Sequence, residues 1–416
     1  MRHIAILGAG PIGLEAALAA TEAGLPFTLY EGASEVAGNV RSWGHVQLFT
    51  PWSMNVSERA RRTLEAAGHS VPDWDDTAGR DAYPTGGELV ERVFEPLGRL
   101  DTLAPYIRYD SRVVEVGREG MLKSDEIGTG VRAKHRFRLL VRKSSGEESV
   151  EYADVVLDCT GTYDNPNALG TGGIRAPGEA TAEEYIIRRI PDFEAPLLGG
   201  VAPGWGGRRI LLVGAGHSAQ TAARDLEALV ARVPGTQVTW AIRSPSPTFG
   251  AVEGDALPMR HALVEHSRQL AYDDGSPFDI RAGRSVDALK ASPEGIVVTL
   301  GSGDGSSETV VVDRIISLTG AVGDAHMYRQ LQVHECYATS GPMKLAAALL
   351  ASSSADCLTQ ESHGAETLRN PEPDFYILGM KSYGRNSSFL LRVGWEQVDE
   401  VFSLLGAAEQ AADGAV

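Results

Sequence analysis

The chain has 416 residues, 47 of them glycine, with 38 basic and 55 acidic side chains and a formal charge of −17. At about 100–200 residues per domain that length makes two or three domains, and an apolar fraction of 43% supplies their cores. The acidic balance leaves no electrostatic footprint for a polyanion, which excludes nucleic acid and acidic membrane surfaces as partners.

Residues 3–7 form a short apolar run of strand type. Gly8, Gly10, Pro11, Gly13 and Glu15 interrupt it too early for a signal peptide. The turn Gly8-Ala9-Gly10-Pro11-Ile12-Gly13 follows, then a small-residue helical face over 14–23 and a second strand over 27–31 that ends in Glu31. This is a βαβ unit with GxGxxG at its first turn. The first glycine makes the tight turn, the second lets backbone approach a pyrophosphate, and the third lets helix pack on strand. The helix N-terminus offers N–H groups to phosphates, and Glu31 is placed to accept from a ribose.

Strands are expected over 112–116 and 137–141 around a polar loop, and over 154–158, where the chain runs into Cys159-Thr160-Gly161. The βαβ unit then recurs: a strand over 209–213, the turn Gly214-Ala215-Gly216-His217-Ser218-Ala219, a helix over 220–231 and a strand over 238–242. Arg243 follows this second strand in place of an acid. A carboxylate there would repel a 2′-phosphate, whereas a guanidinium pairs with it, so the second unit is expected to take NADP over NAD. Further strands are expected over 295–300, 310–318 and 375–379, then a helix over 387–405 and a frayed tail.

The expected fold is α/β with two Rossmann-like dinucleotide-binding domains, the NADPH domain inserted into the FAD domain. The expected divisions are 1–195 and 315–416 for FAD and 196–314 for NADPH. No segment approaches the roughly 18 uninterrupted apolar residues of a membrane span, and the protein is expected to be cytoplasmic.

The two units together resemble the two-dinucleotide-binding flavoproteins, and within these the class B flavin monooxygenases: flavin-containing monooxygenases and ornithine and lysine N-hydroxylases. Gly8, Gly10, Gly13 and Glu31 match the family's FAD fingerprint. The segment from Ala37 to Trp43, with Gly38 and Arg41, sits where the family has GG-x-W. The 214–219 loop matches the NADPH loop, and Asp158-Cys159-Thr160-Gly161 resembles the linker between the family's two domains. One departure is plain. The FxGxxxH fingerprint expected after Gly161 is replaced by Gly172-Gly173-Ile174-Arg175-Ala176-Pro177-Gly178-Glu179, which points to an outlying branch.

The resemblance implies FAD and NADPH as cofactors, and oxygenation of a small molecule at a soft nitrogen or sulfur by molecular oxygen through a flavin hydroperoxide. It puts Asn55 toward flavin and nicotinamide as the catalytic candidate. Turn capping is the competing role for this residue. Trp52 would wall the flavin ring or pack in the core. Gly161, and Gly379, Lys381, Ser388, Phe389 and Leu390 of the last loop, fall beside the cofactor by position. His217, at a helix N-terminus, is expected to stay neutral against the cofactor.

The three cysteines, Cys159, Cys336 and Cys357, form no CxxC, and the histidines show no metal-ligand spacing, so no metal is expected. Cys336 and Cys357 keep open a flavin oxidoreductase that inserts no oxygen, though inert packing suits them as well. A non-catalytic dinucleotide sensor is a third class, which retention of both loops disfavours. Substrate and oligomeric state are not encoded in any motif, and a homo-oligomer is compatible with the sequence.

Overall fold

The computed structural model describes residues 1–71, 83–194, 204–351, 358, 360 and 362–413. The chain divides into two compact units, Met1–Asn165 with Val322–Val416, and Pro166–Ala321. They are called the outer and the inner unit below.

The outer unit opens with β1 (Ile4–Leu7), whose four residues are all buried. A strand apolar on both faces belongs inside a parallel sheet covered on both sides. Helix α1 (Pro11–Glu22) follows with proline at its first turn and alanines 16, 17, 19 and 20 buried. It returns the chain to β2 (Phe27–Tyr30), parallel to β1 with Ile4 opposite Phe27. The short β3 (Ile107–Arg108) extends the sheet. An antiparallel meander comes next: β4 (Ser111–Arg118), β5 (Phe137–Lys143) and β6 (Glu148–Ala153). The chain then re-enters the sheet as β7 (Val155–Asp158), parallel to β1 on its other side.

The inner unit repeats this plan. After β8 (Ile186–Ile187), β9 (Arg209–Val213) leads into helix α2 (His217–Arg232) and β10 (Gln237–Ile242). β11 (Asp279–Ala282) extends that sheet. A second antiparallel meander, β12 (Arg284–Ser292), β13 (Gly295–Ser302) and β14 (Ser307–Val312), precedes β15 (Arg314–Ser317). β15 lies parallel to β9, as β7 lies parallel to β1. The outer sheet closes with β16 (Phe375–Ile377) against β7, and the chain ends in helix α3 (Leu391–Asp413). Strand orders are β16-β7-β1-β2-β3 and β11-β10-β9-β15-β8, so the molecule is α/β with two parallel Rossmann-like sheets.

The repetition extends to single hydrogen bonds. Asp154 accepts the backbone N–H of His3 at 2.7 Å and returns its own N–H to the His3 carbonyl. Asp313 does the same with Arg209, at 2.8 Å in both directions. Each aspartate separates a meander from the strand that follows, and this corrects the single strand expected over 310–318. The chain breaks at Asp313 between β14 and β15 because its carboxylate caps β9.

The inner unit is longer at both ends than the 196–314 expected. Residues 166–194 join it because β8 pairs with β15 and because the Glu179 carboxylate gathers the N–H groups of Leu169 and Ala176 and the Arg188 guanidinium. The expected 195/196 boundary lies outside the described residues. Helix α3 begins later than 387, since Asn386 Oδ1 accepts the Ser388 N–H in a turn, and it runs on to Asp413 through the tail expected to fray. Among the described residues no helix is long and apolar enough to cross a membrane.

Candidate functional site

In the outer unit the loop after β1 is built for close approach. Gly8 has φ +93°, and a Cβ there would lie 3.0 Å from the Cys159 carbonyl. A Cβ on Gly13 would lie 1.8 Å from the Gly8 carbonyl oxygen, so only glycine lets α1 start this close to β1. Gly10, between them, faces open space. No side chain caps α1, and Pro11 and Ile12 form its first turn. The first N–H groups of the helix therefore have no side-chain cap, the condition under which a helix N-terminus binds an anion.

Glu31, just past β2, accepts the N–H of Ala9 at 2.7 Å and of Ala33 at 2.8 Å. A carboxylate offers about four acceptor positions, so Glu31 is held at the lip of the Gly10 opening with capacity to spare for hydroxyls. Ala37 donates to the Ala9 carbonyl at 2.9 Å, which brings the Gly38–Arg41 turn against the same loop.

The last loop comes to the end of β7. Gly379 N–H donates to Gln397 Oε1 of α3 at 2.8 Å. The Lys381 ammonium lies 2.6 Å from Asp158 Oδ2 and 3.2 Å from Thr160 Oγ1, with both charged side chains at most 2% exposed. Asp158 Oδ1 in turn accepts the Thr160 hydroxyl at 2.7 Å, next to Gly161 at φ +71°. Phe389 packs edge-on against Tyr383 at 5.3 Å, and Ser388 and Leu390 lead into α3.

Several expected roles are placed differently. Asn55 is 4% exposed, and its amide N–H groups go to the Thr50 carbonyl, the Thr50 hydroxyl and the Pro51 carbonyl at 2.8–2.9 Å. It closes its own loop, which is the capping role. Trp52 is a core residue, 4% exposed, with the Arg92 guanidinium 5.2 Å from its ring centre. Arg41 spends its guanidinium on Glu95, Glu35 and the Val36 carbonyl. Lys381 is turned inward onto Asp158. Asp158 has no charge partner near it in sequence; its signal is the contrast between Asp158-Cys159-Thr160-Gly161 and Ser317-Leu318-Thr319-Gly320, where Ser317 pairs with Val213 as Asp158 does with Leu7.

The inner loop has the same construction. A Cβ on Gly214 would lie 2.3 Å from the Leu318 carbonyl, Gly216 faces open space, and Ala219 is fully buried where the outer loop has Gly13. The Trp240 indole N–H donates to the Gly214 carbonyl at 2.8 Å, and the Gln220 amide donates to Ala215 at 3.0 Å. His217 opens α2 without a side-chain cap before it, and Ser218 beside it is exposed. Burial holds the imidazole below its usual pKa, and the Arg260 guanidinium adds to the effect. Arg243, beyond β10, is exposed and enters no ion pair among the described residues.

Cys159 and Cys336 are free and buried. Burial raises the Cys159 thiol, whereas hydrogen bonds from Thr339 and Ala338 lower that of Cys336. Cys357 lies outside the described residues. The two loops share a construction that fits a dinucleotide: each has an open second glycine before a helix N-terminus without a side-chain cap, followed by Glu31 in one unit and, in the other, by Arg243, which enters no ion pair among the described residues.

Comparison with known proteins agrees with this construction. The chain is 24% identical over 293 residues to flavin-containing monooxygenase FMO GS-OX2 of Arabidopsis thaliana, covering 66% of this chain and 56% of that protein. It thus spans little more than half the length of the curated relatives it matches. Bacillithiol disulfide reductase of Bacillus cereus superposes with a TM-score of 0.67 at 16% identity, over 98% of this chain and 99% of that one. The ornithine N-hydroxylase of Kutzneria sp. 744, solved with reduced FAD, NADP+ and L-ornithine, superposes at 0.61 and 16% identity, over 98% and 100%. Residues 2–334 match the pyridine nucleotide-disulphide oxidoreductase family, most of the chain, and the protein belongs to that family.

Proposed function

We propose that the outer unit holds FAD, that the inner unit holds NADPH, and that the protein is a monooxygenase acting on a small molecule at a soft nitrogen or sulfur. One observation carries the reading: two glycine loops of one construction, each open at its second glycine, followed by Glu31 in one unit and, in the other, by Arg243, which enters no ion pair among the described residues. Gly10, Ile12 and the N-terminus of α1 would hold the flavin diphosphate, and Glu31 the adenosine ribose. Gly216, His217 and Ser218 would hold the second diphosphate, with Arg243 on the 2′-phosphate. Bound there, the two cofactors supply hydride transfer from nicotinamide to flavin and activation of dioxygen by the reduced ring.

The chain's own residues bind and orient. His217, kept neutral, donates or accepts a hydrogen bond beside a phosphate without adding a titrating charge near pH 7. The flavin-containing monooxygenase relatives and the N-hydroxylase fold support oxygen insertion.

A second reading, NADPH-driven reduction without oxygen insertion, is favoured by Cys336, whose thiol is lowered by neighbouring donors. Oxygen uptake separates the two. Purified protein reconstituted with FAD is mixed with NADPH in air in the presence of small amines and thioethers, following oxygen, peroxide and product. Oxygen consumption with an oxygenated product and little peroxide supports the monooxygenase. With a low-molecular-weight disulfide added as electron acceptor, NADPH oxidation that reduces the disulfide to two thiols and consumes no oxygen supports the reductase.

A further inference from the structure

The buried ion pair at the end of β7 has no counterpart in the inner unit. Asp158 and Ser317 occupy the same register, each the last residue of its strand and each followed two residues on by Thr-Gly. Both turns hold glycine at positive φ, +71° at Gly161 and +86° at Gly320. The turn therefore forms equally well around a serine. The charge at 158 is not needed to make it.

Burying two charges is costly. The desolvation of both ions offsets much or all of their attraction, and apolar replacements of the same volume often do as well. A pair retained at 2% and 0% exposure is thus a weak contributor to stability but a strong constraint on geometry. Its links run to three turns. Asp158 fixes Thr160 through its N–H at 3.2 Å and its hydroxyl at 2.7 Å. Cys159, between them, carries the carbonyl that Gly8 packs against. Lys381 belongs to the Gly379–Tyr383 turn, and a Cβ on Gly379 would lie 3.0 Å from the Ile12 side chain. The ammonium also sits 5.0 Å from the Tyr328 ring centre, and its stem lies against Gly323.

We propose that Lys381 and Asp158 are positioning residues for the flavin: their ion pair registers the 8–13 loop, the 158–161 turn and the 379–383 turn against one another, and so sets flavin affinity and potential. This rests on the reading of the outer unit as the FAD site.

The test is a double-mutant cycle on the full chain freed of cofactor. FAD affinity is measured by fluorescence titration for wild type, Lys381→Met, Asp158→Asn and the double variant. Each single variant leaves one buried charge uncompensated and is expected to weaken FAD binding by about 10–100-fold, while the double variant recovers most of the loss. In the reconstituted proteins Asp158→Asn, which keeps the ammonium, should raise the flavin midpoint potential, and Lys381→Met should lower it. A merely structural pair would move neither. Unchanged affinity in the single variants, no recovery in the double, or potentials shifted in one direction overturns the proposal. Should a single variant fail to fold, Thr160→Val keeps both charges and should weaken FAD binding by about three- to tenfold; an unchanged affinity there overturns it equally. A wild-type chain that binds no FAD would instead remove the flavin reading itself.

Discussion

The indole N–H of Trp240 donates to the carbonyl oxygen of Gly214 at 2.8 Å. A fully buried ring on β10 thereby pins the loop proposed to cradle NADPH. Trp240→Phe keeps most of the packing with Phe249 and Phe278 but leaves that carbonyl without its donor. The expected cost is about 1–3 kcal/mol. Calorimetric titration with NADP+ should show weaker binding by several-fold, while FAD content stays at the wild-type level. Loss of FAD as well would show that the ring supports more than its own loop.

The two kinds of loop glycine should part company. Gly10→Ala adds a methyl to open space at a backbone conformation, φ −79°, that alanine adopts freely. It should leave the melting temperature of the cofactor-free protein unchanged and block binding. Gly13→Ala drives a Cβ to within 1.8 Å of the Gly8 oxygen and should lower both cofactor content and melting temperature. Equal stability losses in the two variants would contradict the assignment of Gly10 to ligand contact.

Arg243→Ala should raise KM for NADPH at least tenfold, by about the worth of one charge-assisted phosphate contact, and leave KM for NADH nearly unchanged. The guanidinium is exposed, so added salt should narrow the wild-type preference in the same direction. Equal effects on the two nucleotides would remove the 2′-phosphate role.

His217 carries a pH signature. Its folded pKa lies below the ordinary value because of burial and Arg260, with Asp255 acting the other way. The unfolded chain therefore binds the proton more readily. The stability this contributes is complete above about pH 6.5, the unfolded value, and is lost as pH falls through it toward the folded pKa. Melting temperatures between pH 7.5 and 5 should fall less steeply for His217→Asn than for wild type. Parallel curves would mean that the imidazole is not protonated differently in the two states.

Much of this architecture could be read from residues alone, because the signals were local. β1, the 8–13 loop, α1 and β2 lie within one stretch of chain, and the second copy repeats the pattern at 209–242. What failed to show depended on long-range pairing. β8 is two residues long, and only its register with β15 makes it a strand. The break at Asp313 is invisible in an apolar run until Arg209 supplies the N–H that it caps. At the candidate site the glycine loops and the helix starts after them were legible, and the partners of the side chains were not. Asn55 and Trp52 have the right chemistry for a flavin, but their neighbours Thr50, Pro51 and Arg92 claim them. Asp158 and Lys381, far apart in sequence, gain meaning only as a pair.

Anaerobic titration of the purified protein with NADPH tests the central claim most directly. Two working cradles predict that the visible flavin absorbance bleaches with about one equivalent of NADPH, much faster than with NADH, and returns when air is admitted. A flavin that stays oxidised under excess NADPH, or a purified protein with no flavin to bleach and no uptake of added FAD, would contradict it.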